Sequence, residues 1–233
     1  MWNGKNKAIT FSFDDGITQD IRFIEILDKY KLKCTFNLNS GLFGNKDMLD
    51  QRGFTVTHYK VDKTEVKDIY KNHEIAAHSL THPYLNHIKD DNEVIRQVEE
   101  DRLALSDICG YNVVGMAYPC SKENKRVADI VKNNTGIKYS RSVTSTDNFD
   151  LQSDLYHFNP SAYSLYKEKL FEIGKRFLEL KTDTPQLFYI WGHAYEFDFN
   201  SPQFTDWSAI DEFCSMISGK DDIFYGTNKE VLL

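Results

Sequence analysis

Two carboxylates and two histidines have the residue types and spacing to bind a metal. Asp14 and Asp15 are adjacent and precede a glycine, which fits either a tight turn or two carboxylates with separate tasks. His78 and His82 stand four positions apart, a spacing that metal-binding histidines use on helices. Because Pro83 disfavours helical backbone before it, we expect this pair on an irregular turn. With Asp15 they would form an open site, as in catalytic zinc centres or non-haem Fe(II) centres.

A third histidine and several large side chains follow other apolar segments. His193 comes two residues after the apolar run 187–191, where it could face the same site as a proton donor or lie in the core as a satisfied histidine. We assign no role to the four remaining histidines. We expect four residues to form the walls of the site: Tyr118, Cys120, Trp191 and Tyr195. For the three aromatic residues, the alternative is packing in the core.

These residues share a position relative to the predicted secondary structure. Strands are predicted at 8–13, 34–38, 74–77, 113–117, 139–143, 155–158 (a weaker one), 187–191 and 223–225, with helices between most of them. This alternation is typical of an α/β fold with a parallel sheet, in which catalytic groups gather at the carboxyl ends of the strands. The polar stretch 39–62 is predicted to be a long loop. Nothing divides the chain, so we expect one catalytic domain over residues 1–233.

Composition excludes several classes of protein. The 233 residues are 41% hydrophobic and 27% charged, as in ordinary globular proteins. No apolar run approaches the ~20 residues that span a bilayer. The net charge of −7, without a Lys/Arg cluster, argues against nucleic-acid binding. The first residues lack the apolar stretch of a signal peptide, so we expect a cytoplasmic protein unless a leader was removed. No particular oligomeric state is predicted.

Two segments resemble the motifs of one enzyme superfamily. The sequence TFSFDDG at 10–16 resembles the first motif of the polysaccharide deacetylases, also called the NodB-homology superfamily or carbohydrate esterase family 4. The sequence HEIAAHSLTHP at 73–83 resembles their second motif, in the expected order and separation. The resemblance runs from about residue 8 to 200 and is strongest in the first half.

The resemblance implies a deformed (β/α) barrel with seven or eight parallel strands and one divalent metal, commonly zinc. By the family pattern, Asp15, His78 and His82 would bind the metal, Asp14 would be the general base and His193 the general acid. The implied reaction removes N-acetyl groups from a carbohydrate such as chitin or peptidoglycan, an amide C–N bond that is not a peptide bond. Some relatives cleave O-acetyl esters or cyclic C–N bonds instead.

The third motif departs from the family pattern. The family usually has Arg-x-Pro-Tyr, whereas this chain has Ala117 in the place of the arginine and Cys120 in the place of the tyrosine. Because a carboxylate base needs a cation to fix its rotamer and charge, we predict that Arg141 replaces the lost arginine in a bidentate pair with Asp14. The alternative is a surface arginine in an ordinary loop. We expect the backbone N–H of Cys120 to stabilise an oxyanion.

Two other functions stay open at this point. The missing arginine would suit a catalytically weakened carbohydrate-binding protein on the same scaffold. The Asp/His/His set would also suit a non-haem Fe(II) enzyme, although that chemistry gives Asp14 no task. Retention of a base, three ligands and an acid favours the hydrolase.

Overall fold

A parallel β-sheet curled into a half-barrel forms the centre of the protein. The computed structural model describes residues 2–121 and 124–233 of the chain. Its strands are β1 (Lys7–Asp14), β2 (Cys34–Leu38), β3 (Lys46–Gln51), β4 (Phe54–Tyr59), β5 (Glu74–Ala77), β6 (Gly115–Ala117), β7 (Tyr139–Arg141), β8 (Ala162–Tyr163), β9 (Gln186–Gly192) and β10 (Ile223–Tyr225). Its helices are α1 (Gln19–Lys29), α2 (Val66–Ile69), α3 (Asp91–Cys109), α4 (Lys125–Asn134), α5 (Lys167–Glu179), α6 (Trp207–Ile217) and α7 (Asn228–Leu232).

Strand β1 lies in the middle of the sheet, and all eight of its residues are buried. One of its edges pairs with β9 over Lys7–Phe13. The other edge pairs with β10 over Lys7–Ile9 and with β2 over Phe11–Asp14. Because neighbouring strands cover both edges and the core covers both faces, a nearly continuous apolar run is stable here. This burial fixes the position at which β1 ends.

The strand order β7-β6-β5-β2-β1-β9-β8 is parallel throughout, and β10 lies beside β1. The prediction of a deformed (β/α) barrel with seven or eight parallel strands is therefore confirmed. Among the described strands, β7 and β8 do not pair, and the barrel is open between them. The weaker strand predicted at 155–158 is only an isolated bridge between Phe158 and Arg141.

The helices bury most of the apolar positions that recur at helical spacing, with Ile21 of α1 and Leu103 of α3 as exposed exceptions. Helix α1 buries Phe23, Ile24 and Leu27. Helix α3 follows the cap Asp90, whose side chain accepts a hydrogen bond from a backbone N–H of the first turn. It ends at Gly110, whose φ of 80° is left-handed and suits glycine. No helix in the described ranges is both long and apolar enough to cross a membrane.

The stretch 39–62 is not a long loop, because it contains an antiparallel hairpin of β3 and β4. The loop prediction was wrong because β3 (KDMLDQ) has no apolar alternation and only one of the twelve strand residues of the hairpin, Val56, is buried. Arg52 and Gly53 make the turn, with φ values of 53° and 84°. Phe54 stacks on Phe199 with ring centroids 4.9 Å apart, which anchors the hairpin beyond the end of β9. The hairpin forms one wall of the cavity described next.

Candidate active site

The carboxyl ends of the central strands open into a cavity of about 810 Å³. Asp14 is the last residue of β1, and Asp15 follows with a left-handed φ of 85°. His78 follows β5, Arg141 ends β7 and His193 follows β9. Because parallel strands place their carboxyl ends at one edge, residues from distant parts of the sequence meet around this cavity.

Asp15, His78 and His82 form a group suited to a metal ion, since one ligand atom from each lies within 4.8 Å of the others. His82 Nε2 is 3.7 Å from Asp15 Oδ1. His78 Nδ1 is 2.8 Å from the carbonyl oxygen of Ala117, which can only accept, so Nδ1 carries the proton and Nε2 is free to bind. Burial lowers the pKa of His78 to about 4 and also lowers the pKa of His82. Both rings are therefore neutral near pH 7, the form that binds a divalent metal such as zinc.

Asp14 is held by a buried arginine. Arg141 Nη2 lies 2.5 Å from both carboxylate oxygens of Asp14. The pair differs from the predicted two-pronged fork, because Nε donates to Ser12 and Nη1 donates to the carbonyl oxygen of Ser142. Asn37 donates a further hydrogen bond of 2.8 Å to Asp14 Oδ1. Burial alone would raise the pKa of Asp14, but Arg141 together with His78 and His193 more than offsets burial, and the pKa is lowered.

Arg141 reaches Asp14 from the strand beside the one that carries the family's arginine position. Ala117 ends β6, Arg141 ends β7, and the two residues are direct partners in the parallel ladder. The guanidinium therefore comes from one strand further along, at the same level of the sheet. Arg141 is fully buried, so the alternative of a surface arginine is wrong.

His193 has a buried carboxylate partner that the sequence analysis missed. Its Nδ1 lies 3.1 Å from Glu196 Oε1, and its backbone N–H donates to Glu196 Oε2. The hydroxyl of Tyr163 donates to the same carboxylate. Burial opposes a charged ring, but Glu196 raises the pKa of His193 to about 9. The other ring nitrogen, Nε2, lies 3.9 Å from Asp14 Oδ2. An acidic residue three positions after the histidine was the available signal for this pair.

Trp191 and Tyr195 line the cavity, and each is fixed by contacts. The ring of Trp191 stacks on Tyr163 with centroids 4.2 Å apart, and its Nε1 donates to Ser145. The hydroxyl of Tyr195 donates to Gln51 on the hairpin, at 2.8 Å. These contacts hold both rings against neighbouring parts of the cavity wall.

Tyr118 and Cys120 also line the cavity, on the side of β6. Tyr118 is buried, and its hydroxyl donates to the carbonyl oxygen of Tyr156. Cys120 has a left-handed φ of 58°, and its Sγ lies 3.6 Å from His82 Nδ1. The thiol therefore contacts the outer side of the imidazole whose Nε2 faces Asp15.

His58 of β4 and Lys60, which directly follows β4, are two further residues of the site that the sequence did not indicate. His58 Nε2 lies 3.0 Å from Asp15 Oδ2. Lys60 Nζ donates to the backbone oxygen of Asp15 at 2.7 Å and lies 3.3 Å from its Oδ1. Although burial would raise the pKa of Asp15, these partners lower it well below its usual value. Both residues were missed because the whole stretch 39–62 was predicted to be a loop.

The chain belongs to the polysaccharide deacetylase family, whose pattern matches residues 3–140. This assignment confirms the resemblance seen in the sequence. Members of the family are hydrolases that generally use a divalent metal. No curated protein sequence matches the chain closely.

Several solved structures share the fold at low sequence identity. A protein from Mycobacterium smegmatis described as a polysaccharide deacetylase has a TM-score of 0.67 at 17% identity, covering 98% of this chain and 89% of that one. A family 4 carbohydrate esterase from Streptomyces lividans, solved with acetate, has a TM-score of 0.59 at 14% identity, covering 96% and 93%. A family 4 pseudoenzyme from Bacillus anthracis has a TM-score of 0.58 at 14% identity, covering 98% and 66%. The same fold thus serves active and inactive members.

Proposed function

We propose that this chain is a metal-dependent hydrolase that removes acetyl groups from a carbohydrate, with N-acetylated sugars as its first substrate class. The observation that supports this proposal is that a buried carboxylate and an imidazole lie together beside a group suited to a metal ion, with His193 Nε2 3.9 Å from Asp14 Oδ2. Their surroundings move their pKa values apart, downward for Asp14 and upward for His193. At neutral pH the base is ionised and the acid is protonated, as amide hydrolysis requires.

Asp15, His78 and His82 would hold the metal, for which zinc is our first expectation. A divalent ion there would polarise the acyl carbonyl and lower the pKa of a bound water. The three protein ligands leave coordination positions for that water and for the substrate.

The protein residues supply the proton transfers. Asp14 accepts the proton of the attacking water, while Arg141 holds its carboxylate in one rotamer. His193 donates from Nε2 to the departing nitrogen, which matters because an amide anion is a very poor leaving group. Glu196 keeps that ring in the orientation and charge state that donation needs. We assign the backbone N–H of Cys120 to the oxyanion.

The walls of the cavity suit a sugar. Trp191, Tyr195 and Tyr118 line the cavity, and a sugar would contact only the small exposed parts of their rings, because all three are buried and Trp191 already stacks on Tyr163. The volume of about 810 Å³ lies within the range of small-molecule sites, so we propose that a short stretch of glycan enters the cavity.

A carbohydrate-binding protein without turnover is the second candidate. The departures at Ala117 and Cys120 favour it, and the fold includes a pseudoenzyme. The Arg141–Asp14 pair weakens that argument, because it restores the cation beside the base. A non-haem Fe(II) enzyme would use the same three ligands, but the family assignment favours hydrolysis.

The test is acetate release from N-acetylglucosamine oligosaccharides and from O-acetylated sugars. The protein is stripped with a chelator and reconstituted separately with Zn²⁺, Co²⁺ and Fe²⁺, and Asp14→Asn serves as the matched variant. We expect release that requires metal and is lost in Asp14→Asn. Sugar binding without release under every metal would establish the binding protein instead, and oxygen consumption with Fe²⁺ would establish an oxygenase.

A further inference from the structure

Lys60 is a buried cation beside the proposed metal ligands. Its side chain is only 5% exposed. Its ammonium has three N–H groups and three oxygen acceptors: the Asp15 carbonyl at 2.7 Å, Asn39 Oδ1 at 3.1 Å and Asp15 Oδ1 at 3.3 Å. A charged Lys60 is stable in this buried position, because hydrogen bonds from all three N–H groups and the adjacent negative charge compensate the free-energy cost of its desolvation.

The Lys60 ammonium and the His82 ring lie near the same carboxylate oxygen of Asp15. Asp15 Oδ1 lies 3.7 Å from His82 Nε2 and 3.3 Å from Lys60 Nζ. The other oxygen, Oδ2, is taken by His58 at 3.0 Å. A divalent ion bound between Asp15 and the two histidines would therefore lie close to the positive charge of Lys60, in a site with little solvent screening.

We infer that Lys60 is an internal counter-cation that competes with the metal for Asp15 and lowers the affinity of the site for divalent ions. This inference rests on the proposed metal site. Repulsion between the ammonium and a bound ion disfavours the metal-loaded state, whereas the Lys60–Asp15 contact stabilises the metal-free state. Both effects act in the same direction, so the site binds the metal more weakly than the same three ligands would without Lys60.

The test measures Zn²⁺ affinity by competition with a chromogenic chelator at fixed pH and ionic strength. Lys60→Met removes the charge while keeping an unbranched side chain, and Lys60→Arg keeps the charge. Lys46→Met, at an exposed position on the same hairpin, is the matched control for loss of a distant charge. We expect Lys60→Met to bind Zn²⁺ at least about tenfold more tightly than wild type. Lys60→Arg and Lys46→Met should stay within about threefold of wild type.

A second readout separates the charge effect from a folding defect. Metal-free Lys60→Met should unfold at a lower temperature than wild type, because Asp15 loses its counter-cation, and should show a larger rise on adding Zn²⁺. Equal or weaker binding by folded Lys60→Met would overturn the inference while leaving the metal site intact. Failure of wild type to bind Zn²⁺, with Asp15→Asn indistinguishable from it, would overturn the proposed site and this inference together.

Discussion

Two adjacent carboxylates differ in this protein because their partners differ. Asp14 contacts Arg141 and Asn37, inside the barrel. Asp15 turns away through a left-handed backbone, and its side chain lies near His58, Lys60 and His82. The backbone bend at the end of β1 therefore gives the two carboxylates different proposed roles. It directs Asp14 to the position of the base and Asp15 to the metal group.

The two histidines of the metal group give the first prediction. His78→Ala and His82→Ala should each lower Zn²⁺ affinity by more than the roughly 10- to 100-fold that loss of a ligand's outer partner costs, because each removes a ligand itself. Metal content after dialysis and an affinity titration measure this effect. His87→Ala, which changes an exposed histidine, should bind like wild type. Full metal content in both ligand variants would show that the assignment is wrong.

Glu196 gives a prediction about pH. Because Glu196 raises the pKa of His193 to about 9, activity on an amide should fall as pH rises through about 9, where the acid loses its proton. Glu196→Gln should lower that pKa and move the fall to lower pH, and NMR titration of the His193 ring would show the same shift. Glu25→Gln, at an exposed position, should leave the profile unchanged. If the pH profile of activity is unchanged in Glu196→Gln, Glu196 does not set the pKa of His193.

The same shift makes a stability prediction of known sign. The folded-state pKa of His193 lies above its unfolded value of about 6.5. Its contribution to the free energy of unfolding is therefore complete below about pH 6.5 and is lost as pH rises towards 9. Glu196→Gln should flatten this dependence in denaturant titrations.

At the level of elements, the ends of the strands explain how a missing family residue is replaced. Ala117 and Arg141 are direct partners on β6 and β7, so an arginine on either strand can approach the end of β1 at the same height. This exchange was predictable from the sequence because Arg141 lies at the end of a predicted strand. The predicted two-pronged fork was wrong because Ser12 and Ser142 accept hydrogen bonds from the other two nitrogens, which no local pattern indicates.

Arg141 substitutions test this exchange. Arg141→Lys should keep the charge but lose the multiple hydrogen bonds, so turnover should fall by roughly 10- to 100-fold while bound metal stays constant. Arg141→Met should instead destabilise the fold by about 3–5 kcal/mol, because Asp14 stays buried without its cation. Steady-state rates, metal analysis and denaturant unfolding distinguish the two. A wild-type rate in Arg141→Lys would show that Asp14 does not need the hydrogen bonds of Arg141 for turnover.

Some elements were predictable from sequence and others were not. Strands β1, β5 and β9 were predicted closely because their apolar and β-branched runs are bounded by clear breaks. The β3–β4 hairpin was missed because one of its faces meets solvent and the other lines a polar cavity. His58 and Lys60 were therefore not predicted as site residues, since nothing local to them indicates that β4 and the residue after it pack beside Asp15.

At the level of the whole molecule, the site exists only when the sheet is assembled. Its proposed ligands and proton-transfer groups span residues 14–193 and come from β1, β5 and β9 or the turns after them, while β7 supplies Arg141. Metal binding should therefore stabilise the entire fold by mass action, by about 2.7 kcal/mol at a free metal concentration 100 times the Kd. Calorimetry with and without Zn²⁺ measures this effect, and His82→Ala should show little of it. An equal rise in His82→Ala would place the stabilising ion elsewhere.

The central claim is that one metal held by Asp15, His78 and His82 works together with Asp14 in hydrolysis. The most direct measurement follows bound metal and acetate release together while metal-free protein is titrated with Zn²⁺, for wild type and Asp14→Asn. The account predicts that the wild-type rate rises with occupancy and stops at one ion per chain, whereas Asp14→Asn fills to the same level with a rate lower by at least about 100-fold. A rate independent of occupancy, or turnover retained in metal-loaded Asp14→Asn, would contradict it.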